Sequence, residues 1–276
     1  MFVEWLTHLT TPCQKPFRQM GYLGELIAIK HRHARCKTAW EPHLDTCKNL
    51  IAKAARSAEK KGSVVVLGSG QLLDIPIEVL CKEFDRVHLV DICHLRNSRK
   101  RTSAFTNVNF IEADISGTVA PLAAWTPGDE LPEPAPVLEV LEKAGLVVSA
   151  NLLAQLPLAP LQFIEDKSPE VDQLSRDNYA RLIMSHHLEM LTKLSSPVTL
   201  ISEVLHIVSD GDRVLEKSMP LNGLQLPTAD QEWWWNLAPR PELSPTFDLK
   251  LRVVGISDLS TADYERTCRN TTLAAP

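Results

Sequence analysis

Val64-Val65-Val66-Leu67-Gly68-Ser69-Gly70, followed further on by Arg86-Val87-His88-Leu89-Val90-Asp91, decides the fold. A run of β-branched residues closed by two glycines one residue apart predicts a strand buried on both faces that opens into a tight turn. Glycine suits such a turn because it accepts positive φ and carries no Cβ to hold a ligand off the backbone. A helix is expected over 71–84, then a second strand whose last residue, Asp91, falls 21 positions after Gly70. An acid there can accept hydrogen bonds from two ribose hydroxyls. The stretch predicts half of a nucleotide-type site at the carboxyl ends of parallel strands.

The turn discriminates among nucleotides. A dinucleotide fingerprint needs a third glycine three residues after the second, where this chain has Leu73. A phosphate-binding P-loop needs a Gly-Lys-Ser/Thr ending, and none follows. The residues instead resemble the class I S-adenosylmethionine-dependent methyltransferases, in which a strand leads to Gly-x-Gly, a second ends in an acid and a third leads to another acid. Here the third strand is Val108-Asn109-Phe110-Ile111, running to Ala113-Asp114. The resemblance covers roughly residues 64–203. It rests on the order and spacing of Gly68, Gly70, Asp91 and Asp114 on three successive strands.

The resemblance implies an α/β, Rossmann-like, mostly parallel seven-stranded sheet flanked by helices. It further implies that S-adenosylmethionine is the cofactor. Gly68, Ser69 and Gly70 would meet it through their backbone, Asp91 through the ribose and Asp114 through the adenine amino group. Ile92, directly after Asp91, would lie against the adenine, and Ile115, directly after Asp114, joins the cofactor-binding set. Two departures stand out: Val66 where the family often has an acid, and Leu72 where a third glycine of Gly-x-Gly-x-Gly is usual. Asp74 can substitute for the missing acid by approaching the cofactor's ammonium group, or it can cap the following helix.

At 276 residues the chain fits one large α/β domain with additions. Apolar residues at 44% and charged residues at 23% are those of an ordinary globular chain, and no apolar run nears the length that crosses a bilayer. Met1-Phe2-Val3-Glu4-Trp5 lacks the basic and apolar regions of a signal peptide, so a cytoplasmic location is expected. Cys13, Cys36, Cys47, Cys81, Cys93 and Cys268 are scattered without a Cys-x-x-Cys pair, which predicts free thiols and no metal site. Net charge is −5, but the first 61 residues carry +6 and the rest −11. A basic front can meet an anionic partner, yet an acidic body argues against a nucleic-acid track, and solvated helix faces give the same count.

Taken in order, residues 1–61 read as a helical extension or lid, and 62–276 as the methyltransferase-like domain, with insertions at about 117–136 and 220–246. Apolar spacing predicts front helices over 21–37 and 40–58, with His31, His33 and Arg35 either at the lid or facing solvent. Arg96 to Arg101 reads as a short basic helix with a solvated face. Five prolines between Pro121 and Pro136 predict an irregular insertion before a short helix over 137–143. The fourth strand, 145–150, ends on Asn151. By the resemblance this residue lies beside the transferred methyl, where its amide can orient an acceptor or bind the cofactor; alternatively it is a turn residue bonding its own backbone. A long helix over 171–194 contains His186 and His187, which diverge by about 100° and cannot share one pocket. A fifth strand over 198–203, prolonged through Val208, precedes an Asp210-Gly211 hairpin signal and a closing strand over 247–256.

Trp233-Trp234-Trp235 falls in a proline-rich, loop-like stretch. It either walls a substrate, stacking a planar or cationic acceptor, or anchors the insertion; anchoring has the stronger claim because large rings bury area efficiently. The function expected is methyl transfer from S-adenosylmethionine to a small or medium-sized acceptor, without nucleic acid or membrane as partner. The alternative is a catalytically inactive scaffold or regulator on the same fold, and a dehydrogenase is disfavoured by Leu73. No strong catalytic base is visible.

Overall fold

Val64, Val65, Val66 and Leu67 are fully buried, as a strand covered on both faces must be. The computed structural model describes residues 11–261; Met1 to Trp5 and Cys268 lie outside them. Two helices come first: α1 (Lys15–Gln19) and α2 (Tyr22–Ser57). The two front helices expected from the sequence are present as the two arms of α2, which join across a kink at Cys36, with Pro42 inside the rear arm. The sheet then follows as β1 (Ser63–Leu67), β2 (Arg86–Asp91), β3 (Val108–Glu112), β4 (Leu146–Ala150), β5 (Val198–Asp210), β6 (Arg213–Ser218), β7 (Gln231–Ala238) and β8 (Asp248–Ile256). Between the strands lie α3 (Ile77–Glu83), α4 (Arg96–Thr102), α5 (Val119–Ala124), α6 (Leu158–Lys167) and α7 (Gln173–Thr192).

The strand order is β3-β2-β1-β4-β5-β8-β7, with β6 paired to β5 off this path. The first five strands are mutually parallel, while β8 runs antiparallel to both of its neighbours. This is the Rossmann-like, mostly parallel arrangement that the resemblance implies, with an eighth strand added. On one edge β5 pairs β4 over Val198 to Ile201 and, further along, β6 over His206 to Asp210; its other edge is filled by β8.

Alternation along the strands sends side chains into two apolar layers. Val65, Leu67, Val147 and Leu200 pack with α5 and α7. Val64, Val66, Val148 and Ile201 pack with α2 and α3.

Several elements differ from the sequence reading. The helix expected from residue 71 begins only at Ile77, because Leu72 is held at φ +61°, outside the helical region, and Pro76 precedes the first turn. The helix over 137–143 is a single 3-10 turn, Glu139–Leu141, and α6 was not anticipated. The tryptophans lie on strand β7, not in a loop. The basic residues of α4 are exposed, as expected, and Arg101 has a second role: it donates to the carbonyls of Gln71 and Leu72 and clamps the glycine turn.

Candidate functional site

Gly68, Ser69 and Gly70 after β1, Asp91 at the end of β2, Asp114 after β3 and Asn151 after β4 all fall on the carboxyl edge of the parallel sheet. Gly68 and Gly70 take φ of +71° and +48°. Leu72, standing where a third glycine is usual, also takes a positive φ, so the backbone keeps the shape of the pattern without its residue. A left-handed leucine costs on the order of 1–2 kcal/mol. Its fully buried side chain, packed among α2, α3 and β1 residues, offsets that strain. A Cβ built on Gly70 would meet only the Gly68 carbonyl at 3.9 Å, so the front of the turn is open.

Asp91 holds this turn in place. Its Oδ2 accepts from the Gly70 N–H at 2.6 Å and its Oδ1 from the Ile92 N–H at 2.7 Å. Burial raises its pKa to about 6, against the opposing pull of the Gly70, Ile92 and Cys93 N–H groups. Each carboxylate oxygen keeps a further lone pair for a hydroxyl donor.

Asp114 is engaged differently. Its Oδ1 accepts from the Ser116 N–H and hydroxyl, and its Oδ2 from the Val119 N–H at 2.7 Å, which ties it to the start of α5. Beside it stand two phenols. Tyr179 Oη is buried with no partner among the described residues, and Tyr22 Oη lies next to Ser116 and Thr118 without a hydrogen bond of good geometry. Burial first, then the Asp114 charge, pushes both phenols up in pKa. Ile92 and Ile115 are buried in the apolar layer that also takes in Phe17 and Met20 from the α1 region.

Asn151, at φ +52°, anchors a second cluster on the α2 side. Its Nδ2 donates to Asp74 Oδ2 at 2.7 Å and lies 3.3 Å from His43 Nε2 and 3.6 Å from Cys47 Sγ. Its Oδ1 is buried without a partner. The Trp233 indole N–H, a donor only, donates to His43 Nδ1 at 3.0 Å, which leaves the His43 proton on Nε2. His43 stacks on Trp235 at 4.0 Å, and burial lowers its pKa to about 3, so it is neutral near pH 7. Burial raises the Asp74 carboxyl against the Asn151 amide, and raises the Cys47 thiol with help from the Asp74 charge. Asp74 therefore bonds Asn151 and does not cap α3, which starts at Ile77 without a side-chain cap.

Sequence reading missed His43 and Cys47 as site residues. Their i, i+4 spacing on α2 was visible but merged with an apolar stripe. Among the described residues no helix is long and apolar enough to cross a membrane, and no group of three His, Cys, Asp or Glu residues could hold a metal. Cys13, Cys36, Cys47, Cys81 and Cys93 are free thiols.

No family model matches the chain, and no curated protein matches it. Among solved structures it is similar to the N-methyltransferase NodS from Bradyrhizobium japonicum WM9 in complex with S-adenosyl-L-homocysteine, at 11% identity over 77% of this chain and 86% of that chain, with a TM-score of 0.36. A DhpI–SAM–HEP complex is 13% identical over 89% and 84% of the two chains, with a TM-score of 0.36. The 1,6-didemethyltoxoflavin-N1-methyltransferase of Burkholderia thailandensis is 13% identical over 89% and 92%, with a TM-score of 0.34. Overlaps this loose carry no argument; the fold rests on the strand order given above.

Proposed function

We propose that the chain binds S-adenosylmethionine across the carboxyl ends of β1 to β4 and transfers its methyl group to a small or medium-sized acceptor. The observation that carries this reading is the Gly68-Ser69-Gly70 turn, open in front of Gly70 and fixed by the Asp91 carboxylate, which still has lone pairs for a ribose. Unpaired buried polar atoms extend from this turn in both directions. Ser69 Oγ lies in the turn itself, Tyr179 Oη beside Asp114 at one end, and Asn151 Oδ1 at the other. Such atoms are costly without partners, and a ligand with a sugar, a base and an amino-acid tail supplies them.

In this reading Asp91 holds the ribose, Asp114 and its flanking tyrosines border the adenine, and Asp74 takes the ammonium that the missing acid at Val66 would otherwise meet. When bound there, the cofactor would supply an electrophilic methyl carbon for displacement by an acceptor's lone pair, with the sulfonium sulfur as leaving group. What the chain contributes is the alignment of the two partners.

Calorimetric titration tests the reading. S-adenosylmethionine and S-adenosylhomocysteine should both bind, with Asp91→Ala weakening each at least tenfold; absence of binding at millimolar ligand defeats it. The fully buried Val66 favours a second reading, a scaffold without turnover, since it leaves the cofactor's amino-acid end without its usual acid. That reading expects binding without transfer of labelled methyl to any fraction of a cell extract.

A further inference from the structure

Glu203 lies on β5, 5% exposed, and its Oε2 has no partner among the described residues. Register locates it. Glu203 pairs with Val253, and Val253 pairs with Trp233, so the three point to one face, the face covered by α2. On the other side, the Asn151 N–H bonds the carbonyl of Ile201, two residues before Glu203. Glu203 therefore stands between Trp233 and Asn151, and His43 touches both of those neighbours, at 3.0 and 3.3 Å. A β-bulge immediately after it, between Glu203 and Leu205, shows that the strand is bent here.

The polar groups converging on this place are mostly acceptors. Glu203 Oε2 and Asn151 Oδ1 are unpaired, and the Asp74 carboxylate has only the Asn151 amide as a side-chain donor. Among the described residues the unpaired donors of this part of the sheet are Trp235 Nε1, the ring nitrogen Nε2 of His206 and Arg252 Nε, the last on the opposite face of β8 from Val253, where Arg252 meets Glu232 at 3.8 Å. Among the described residues no charge partner accompanies Glu203, and burial raises the pKa of its carboxyl against the pull of its own backbone N–H. A buried carboxyl without a cation nearby avoids the cost of its charge by holding a proton, and a cation bound beside it favours the carboxylate form.

Resting on the function proposed above, we propose that the acceptor is an amine, held as its ammonium form between Glu203 and Asn151 against the Trp233 ring. Glu203 takes one proton from the ammonium, which leaves the nitrogen lone pair free. The carboxylic acid so formed returns that proton to water after the product leaves. Asp74 is the positioning residue for the Asn151 amide, and the indole–imidazole hydrogen bond fixes the Trp233 ring against His43.

The full chain, saturated with S-adenosylhomocysteine, is titrated with a graded panel of primary amines from ethylamine through 2-phenylethylamine to tryptamine. Each amine is compared with the alcohol of the same skeleton. At least one amine should bind tenfold or more tightly than its alcohol. Glu203→Gln should erase that preference while S-adenosylhomocysteine affinity stays within twofold and the melting temperature is kept. Glu203→Asp, which keeps the charge, should retain part of the preference. The proposal is overturned if no amine binds, if alcohols match amines, or if Glu203→Gln keeps the preference. Loss of S-adenosylhomocysteine affinity in Glu203→Gln also overturns it, by assigning Glu203 to the cofactor's own amino group. If wild type binds amines selectively but never S-adenosylhomocysteine, the methyltransferase reading fails while the amine site stands.

Discussion

His187 shows how a single residue links burial to pH. Its Nε2 meets the Ser149 hydroxyl at 3.0 Å inside the core, and burial lowers its pKa to about 4 from an ordinary 6.5. The unfolded chain therefore binds a proton that the folded one refuses between those values. This residue's contribution to stability is complete above pH 6.5 and is lost as pH falls toward 4. Between pH 7 and pH 4.5 wild type should lose about 2 kcal/mol more than His187→Asn, read from urea unfolding at the two pH values. Its neighbour His186 lies 3.5 Å from Glu133 instead, in line with the divergence expected of adjacent helical residues. Residues whose roles are local, such as Gly68, Gly70 and Asp91, were legible because the turn and its acid are written within one stretch. His43 was not, because its partners Asn151 and Trp233 lie 108 and 190 positions away.

Strand β7 illustrates the same limit for a whole element. Its tryptophans alternate with period two: Trp235 is 7% exposed and packs edge-on against Trp40 at 4.9 Å, while Trp234 on the opposite face is 47% exposed. Trp40 in turn donates its indole N–H to the Leu237 carbonyl, so α2 and β7 grip each other from both sides. Trp235→Ala should lower stability by about 3–5 kcal/mol, whereas Trp234→Ala should cost under about 1 kcal/mol; thermal melts separate the two. The anchoring reading thus accounts for Trp235, and Trp233 reaches the candidate site as well. From sequence the element read as loop, because prolines surround it and its strand character depends on β8 as a partner. The first helix after the glycine turn was misjudged for a related reason. Apolar spacing over 71–84 suits a helix, but the backbone spends its first residues closing around the Arg101 guanidinium.

At the scale of the molecule, the parallel order of the first five strands and the late antiparallel pair were legible, since buried β-branched runs and turn residues mark each strand. What the pattern did not carry was how the front segment uses its charge. Part of its basic excess is spent within the fold: Arg35 meets Glu242 at 2.6 Å and Arg32 meets it at 3.6 Å. α2 reaches both ends of the candidate site, with Tyr22 beside Asp114 and His43 with Cys47 beside Asn151. Between these contacts sits Cys36, at φ −104° and ψ 18°, and six residues later Pro42, which has no N–H to give the helical ladder. A rod interrupted once between two docking points behaves as a lever with a fulcrum. Its rear arm is bolted into the core by Trp40, Leu50 and Ile51, and its front arm is docked separately by Leu23 and Ile27 on Cys93 and Leu95 and by the Gln71 amide on the Leu26 carbonyl, so the weakest stretch of the ladder is the joint between them. Amide hydrogens around residues 36–42 should accordingly exchange faster than those of either arm, and equal protection along the whole rod would show that the fulcrum is locked.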